Sequence, residues 1–175
     1  MPNIRIETER LELVAGTPTL VRAEIGDRQQ FSHLLQAQIP RSWPPEYIDT
    51  DAMNFSLEQL LSGPEQAGWW CWYFVRRSNS AERVLIGTGG FKGAPDENRT
   101  VEIGYSVLPE FQKQGLGSEA VAGLVRWAGE HGVTKVQAET LPELDASIRV
   151  LEKNGFVYMG NGSEEGVILY RKDRP

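Results

Sequence analysis

The sequence predicts one α/β domain built on a mixed, mostly antiparallel sheet. Three observations carry this reading. Three β-forming segments follow one another through polar turns; a helix-spaced segment then falls between further alternating segments; and no Pro/Gly/Ser-rich linker divides the 175 residues. Residues 1–175 are therefore read as a single domain with one sizeable core.

Ile4 to Leu13 alternates apolar and polar positions and is expected as the first strand, ended by Gly16-Thr17-Pro18. Residues 17–36 hold one or two helices with Leu20, Ile25, Phe31, Leu34 and Leu35 apolar, and Pro40-Arg-Ser-Trp-Pro-Pro45 stops regular structure. A further helix runs from about Asp49 to Leu61. Trp69 to Val75, Val84 to Phe91 and Thr100 to Val107 form a meander. In the first of these, alternation places Trp70 and Trp72 on one face and Trp69 with Cys71 on the other. Leu116, Ala120, Val121, Leu124, Val125 and Ala128 recur at helical spacing until Gly132 closes the helix. Lys135 to Leu141 is a strand, Asp145 caps a short helix through Asn154, and two strands from Gly155 to about Arg171 complete the sheet.

Eighteen basic against 24 acidic residues give a formal charge of −6, which argues against duplex nucleic acid or an anionic membrane as partner. Cys71 is the one cysteine, no charged-then-apolar leader opens the chain, and no apolar run reaches spanning length, so a reducing cytoplasm is expected. His33, His131 and Cys71 offer no metal-ligand spacing, and no metal is expected.

Phe111-Gln-Lys-Gln-Gly-Leu-Gly-Ser-Glu-Ala120 is the most informative stretch. It stands where a strand passes into an amphipathic helix, whose first amides lack intrahelical partners and carry the positive end of the helix dipole. Glycines there let several N–H groups converge on one anion. A P-loop would need Lys-Ser/Thr after its second glycine, and the dinucleotide fingerprint a third glycine; Ser118-Glu119 and Ala120 exclude both. Gln112-Lys-Gln-Gly115-Leu-Gly117 instead resembles the Gln/Arg-x-x-Gly-x-Gly/Ala signature of the GNAT superfamily of acyl-CoA-dependent N-acyltransferases. Thr8-Glu-Arg-Leu-Glu-Leu13, Val101-Glu-Ile-Gly-Tyr105 and Ala146-Ser-Ile-Arg-Val-Leu-Glu-Lys-Asn-Gly-Phe156 extend the resemblance, in order, over nearly the whole chain. They are similar to the branch that includes the ribosomal-protein N-terminal acetyltransferases.

The resemblance implies a GNAT fold whose twisted sheet splays between its fourth and fifth strands, here 100–107 and 135–141, with acetyl-CoA as acyl donor. The donor contacts it implies are Val107, Gln112, Lys113, Gln114, Gly115, Leu116, Gly117 and Ser118, with a backbone N–H near Val107 polarising the thioester carbonyl. It implies Glu102 as base or water relay and Ser147 as the hydrogen-bond donor to the departing thiolate. Leu144 stands where related sequences carry a polar asparagine. A solvated strand carboxylate and a helix-start cap are the plainer roles for Glu102 and Ser147, and Tyr105 and Tyr158 are alternative donors to sulfur. Trp43 and Trp70 are expected to border the acceptor, Trp43 as a lid on a proline-stiffened loop or as a core plug. Free cysteines are often small buried apolar residues, which is the simplest role for Cys71.

The resemblance implies an amine-bearing small molecule or a protein N-terminus as acceptor, and the protein is expected to be a monomer or homodimer. At neutral pH roughly one α-amine in ten is uncharged, but fewer than one lysine amine in a thousand, from ordinary pKa values of about 8 and about 10.4. A general base therefore matters most for a lysine-like acceptor. The alternative reading is a CoA-binding sensor or interaction module that kept the fold and lost turnover.

Overall fold

The expected first strand is two. In the computed structural model, which describes residues 3–175, β1 (Arg5–Glu7) and β2 (Leu11–Ala15) form an antiparallel hairpin. The apolar positions change phase between Ile6 and Leu11, so one continuous strand would send them to opposite faces. A turn at Thr8, closed by its N–H to the Leu11 carbonyl at 2.9 Å, lets Ile6, Leu11 and Leu13 enter the same core.

Three helices follow: α1 (Pro18–Gly26), α2 (Arg28–Leu35) and α3 (Thr50–Ser62). Each begins with a side-chain cap, from Thr17, Asp27 and Asp49 respectively, as the sequence around Thr17-Pro18 and Asp49 would suggest. The meander is β3 (Cys71–Arg77), β4 (Arg83–Phe91) and β5 (Thr100–Val107). Then come α4 (Leu116–Glu130), β6 (Lys135–Thr140), α5 (Asp145–Lys153), β7 (Val157–Asn161) and β8 (Ile168–Asp173). Asp145 is the first residue of α5 rather than its cap; Leu144 holds that place and offers no side-chain hydrogen bond.

The eight strands lie in the order β1-β2-β3-β4-β5-β6-β8-β7, all antiparallel neighbours except β5 and β6. One face carries α4 and the larger core, around Leu13, Trp72, Phe74, Ile103, Val121 and Leu124. The opposite face carries α1 to α3 over two smaller clusters. A bulge at Ile86, between the Phe74↔Gly87 and Val75↔Leu85 pairs, shifts the phase of β4. Beyond it Gly87, Gly89 and Phe91 face the α4 side. Thr88 and Gly90 turn toward the other face, opposite Ser106 and Gly104 of β5.

The tryptophan cluster departs from strict alternation. Trp69 joins Trp72 on the α4 side, where both pack on Trp127 with ring centroids 4.7 and 5.3 Å away, while Trp70 lies with Cys71 against Val21, Met53 and Leu60. The cause is local: β3 starts only at Cys71, and residues 69 and 70 form a bend in which the period of two does not hold. Among the described residues no helix is long and apolar enough to cross a membrane.

Candidate active site

Strands β5 and β6 separate soon after they meet. Their parallel ladder holds only Thr100↔Lys135, Val101↔Val136 and Glu102↔Gln137. Along the rest of β5, pairing continues with β4 alone. The Glu102 carbonyl accepts from Lys92 N–H and the Leu108 N–H donates to the Ile86 carbonyl, at 3.0 and 2.8 Å. These even-numbered groups therefore point at β4, and by alternation the backbone of Ile103, Tyr105 and Val107 points into the opening. A row of strand donors and acceptors facing a gap is a template for an extended ligand.

The outer end of this opening meets the start of α4. Its first residue is preceded by Gly115 at φ 77°, and no side chain caps it, unlike α1, α2 and α3. The first helical bond is Glu119 N–H to the Gly115 carbonyl at 3.1 Å, so the amides of Leu116, Gly117 and Ser118 are left for an anion. Gly115 is required by its left-handed backbone. Gly117 is not: a β-carbon there would come no closer than 3.5 Å to Val107 and 3.9 Å to Val150, ordinary contacts. Its space is left open by the fold, which fits a phosphate group that must approach the backbone.

The remaining predicted donor residues divide. Gln112 donates from Nε2 to the Val107 carbonyl at 2.9 Å, tying the loop to the end of β5. Leu116 turns its side chain into the core, leaving only its amide for a ligand. Ser118 accepts from Asn154 Nδ2 at 3.1 Å, which joins α4 to the end of α5. Lys113 stands exposed at φ 60°.

The loop is buttressed from the far end of the chain. Glu119 accepts from Thr8 Oγ1 and the Arg10 backbone N–H, both at 2.6 Å, and from Arg10 Nε at 2.7 Å. Arg10 also donates from Nη1 to the Gln114 carbonyl at 2.8 Å. Desolvation acts to raise the Glu119 pKa, but these bonds and the guanidinium outweigh it and hold the carboxyl below its ordinary value. Nothing near Thr8 and Arg10 in the sequence marks this task, because their shared partner lies 111 and 109 residues away.

Across the opening, Tyr105 of β5 meets Ser147 of α5. The tyrosine hydroxyl donates to the Ser147 carbonyl at 3.1 Å and stands 3.3 Å from its Oγ. Burial pushes the Tyr105 phenol up to about 12, partly opposed by the Ser147 contact, so it stays protonated at neutral pH and able to donate. Two candidates for one task thus form a single hydroxyl pair. Tyr158 instead lies on the edge strand β7, packed edge-on against Tyr170.

Glu102 projects to the opposite face of β5, in contact with Lys92 and with its side chain 28% exposed. Next on that face is Gly104, above which a β-carbon would meet nothing within 4 Å, and then Ser106. The Ser106 hydroxyl lies 3.5 Å from the Glu46 carbonyl, so the 40–48 loop walls this open patch. Trp70 is half-buried, donating to Gln66 at 2.9 Å and packing edge-on against Phe55.

Trp43 is not an exposed lid. It is 8% exposed and packs with Phe31 and Tyr73 beneath α1 and α2. Its indole N–H donates to Glu24 at 3.0 Å, and the Tyr73 hydroxyl donates to the same carboxylate at 2.6 Å. Burial raises the Glu24 pKa, against the lowering effect of those two bonds. The Cys71 thiol is pushed up to about 12 by burial and by the nearby Glu24 charge, so it is no nucleophile at neutral pH. Glu24 carries no motif in the sequence. The available signal was a charged residue four after Leu20, on the buried stripe of α1.

An extended ligand with an anionic end would find strand donors and acceptors along the opening, free amides at the uncapped helix start and the hydroxyl pair across from them. Residues 19–157 match the model of the acetyltransferase (GNAT) domain, and the chain belongs to that family. Bacillus subtilis YjdG, described as an uncharacterized N-acetyltransferase, is 28% identical over 163 residues, covering 92% of this chain and 94% of its own. The ribosomal-protein-S5-alanine acetyltransferase of Vibrio fischeri superposes with TM-score 0.65 at 20% identity, over 98% of this chain and 97% of its own. RimL, a ribosomal L7/L12 α-N-protein acetyltransferase in complex with coenzyme A, gives TM-score 0.66 at 20% identity, over 97% and 98%. At such identities these two structures establish the shared fold.

Proposed function

We propose that the protein transfers an acetyl group from acetyl-CoA to a primary amine by direct attack in a ternary complex. The observation that carries this is the opening between β5 and β6, which runs from an uncapped glycine turn to the Tyr105–Ser147 pair. RimL was solved with coenzyme A on the same fold. In this reading the amides of Leu116, Gly117 and Ser118 hold the pyrophosphate, with Gln112 and Gln114 shaping the loop and Lys113 adding charge at its rim. The backbone of Tyr105 and Val107 pairs with the pantetheine arm and an N–H of that row polarises the carbonyl.

Acetyl-CoA supplies an activated thioester. The amine nitrogen forms the new C–N bond as the C–S bond breaks; the amine proton passes to Glu102, directly or through water, and the thiolate takes a proton from the Tyr105–Ser147 pair. Separation of the two proton steps follows from strand alternation: Glu102 and Tyr105 lie on opposite faces of β5. The acceptor enters over Gly104, between Lys92, Ser106 and the 40–48 loop, with Trp70 at the side of that groove and Trp43 behind its wall. An amine-bearing small molecule or a protein N-terminus fits this open, polar patch.

Thiol release from acetyl-CoA across a panel of α-amino peptides, polyamines and aminoglycosides tests the reading, with the product identified by mass. Amine-dependent release and an acetylated amine are expected. Tight CoA binding with release no faster than hydrolysis for every amine would favour a CoA-binding module instead.

A further inference from the structure

We propose that Glu24 is the acceptor-positioning residue of this enzyme, acting through a clasp that joins α1, β3 and the Trp43 loop; this rests on the acetyl-transfer reading above. Glu24 occupies the seam between two apolar clusters. Leu20, Ala23, Trp43 and Tyr73 lie on one side, and Val21, Met53 and Leu60, with Cys71, on the other. Its two oxygens are shared between two neutral donors, Trp43 Nε1 and the Tyr73 hydroxyl. Neither is a cation, so this is not an ion pair brought inside. A carboxylate in such a place is costly, and an apolar residue would pack α1 more cheaply. What the carboxylate adds is direction: it fixes the indole of Trp43 relative to β3.

Trp43 is one end of a short, stiff connection. Pro44 and Pro45 follow it, each with a locked φ, and then Glu46 and Tyr47. At the near end Ser42 donates to Glu110, in the turn just ahead of the phosphate loop. At the far end the Glu46 carbonyl lies 3.5 Å from Ser106, beside the open patch at Gly104. Tyr47 then stands 76% exposed with φ 70°, a left-handed conformation that a bulky residue rarely adopts. Non-glycine residues held there cluster at ligand-binding sites. The two prolines transmit the setting of Trp43 to this wall, so that Glu24 governs where the acceptor meets β5 without touching it.

The experiment compares Glu24→Ala with Glu24→Gln, measuring acceptor KM and kcat with two probe amines, seryl-alanyl-alanine amide and spermidine, and CoA affinity by calorimetry. Glutamine keeps the clasp: its carbonyl accepts from Trp43, and its amide donates to the Tyr73 oxygen, which can also accept. Expected for Glu24→Ala is a rise of about tenfold in acceptor KM, with kcat at saturation and CoA affinity within about threefold. Glu24→Gln should restore KM to within about twofold of the parent. Tyr73→Phe and Trp43→Phe each remove one arm; both should raise KM by a few fold, and they keep the test available if Glu24→Ala fails to fold. An unchanged KM in Glu24→Ala, or in both single-arm variants, overturns the proposal. So does a Glu24→Gln enzyme as impaired as Glu24→Ala, which would assign the effect to charge rather than to the clasp. Should the parent protein bind CoA yet acetylate neither probe nor any amine of the wider panel, the acetyl-transfer reading itself fails and the proposal with it.

Discussion

Replacing Glu119 by glutamine tests whether the N-terminal hairpin holds the phosphate loop. The carboxylate accepts three hydrogen bonds, and its side chain is 15% exposed against 44% for Arg10. An ion pair with one half-exposed partner contributes about 0.5–1 kcal/mol. The charge-assisted bonds from Thr8 and the Arg10 amide each contribute roughly 1.5–3 kcal/mol, and glutamine retains about half of that in neutral form. The net loss is about 2–4 kcal/mol, which for a domain of this size lowers Tm by about 4–16 °C. Because Arg10 also fixes the Gln114 carbonyl, CoA affinity should fall about tenfold, or about 1.4 kcal/mol.

The sign with pH is set by the lowered folded-state pKa of Glu119. Its contribution is fully present above the ordinary value of 4.5 and is lost as pH falls through the lower, folded value. The Tm gap between parent and variant should therefore be constant from pH 6 to 8 and narrow below about pH 5. Differential scanning fluorimetry across this range, with calorimetric CoA titrations at neutral pH, reads both quantities. A gap under about 1 °C at pH 7, or one that persists undiminished at acid pH, would refute the buttress.

Gly117→Val should abolish CoA-dependent thermal stabilisation while shifting the unliganded Tm by no more than about 3 °C, since a β-carbon at this position meets only ordinary contacts; retained CoA affinity would sink the pyrophosphate assignment. Glu102→Gln is expected to slow turnover more at neutral than at alkaline pH, where the acceptor amine is already uncharged. An unaltered pH–rate profile removes Glu102 from the mechanism. Tyr105→Phe and Ser147→Ala should each lower kcat, by about 10–100-fold, and the double variant by little more than the worse single, because the two hydroxyls act as one group. Multiplicative losses would show independent roles.

Most of the fold is legible in the sequence because the signals are local. Strands β4 and β5 and helix α4 coincide with their patterns nearly to the residue, and the glycine turn announces itself through Gly115 and Gly117. What is not legible depends on partners far apart in the chain. The split of Ile4 to Leu13 into a hairpin is visible only in the phase change of its apolar positions, and the Trp69–Trp70 bend needs the true start of β3. At the candidate site, the glycine turn ahead of α4 could be placed in advance, whereas pairing Tyr105 with Ser147 required knowing that β5 and α5 face each other across the opening. Glu24 and Glu119 look like ordinary helix glutamates until their partners, 19 to 49 and 109 to 111 positions away, are in place.

The tie between Arg10 and the glycine turn also bears on how this site comes into being. The signature residues leave the ribosome as a continuous piece, yet their shape depends on a hairpin made about a hundred positions earlier, at one edge of the sheet. Closing so distant a contact is slow compared with forming α4 itself, so the glycine turn is expected to reach its final shape only after α4 has formed. The same dependence makes the motif a poor cassette. Residues 107–130 moved into another sheet would carry the glycines and the helix but not the brace that holds them open.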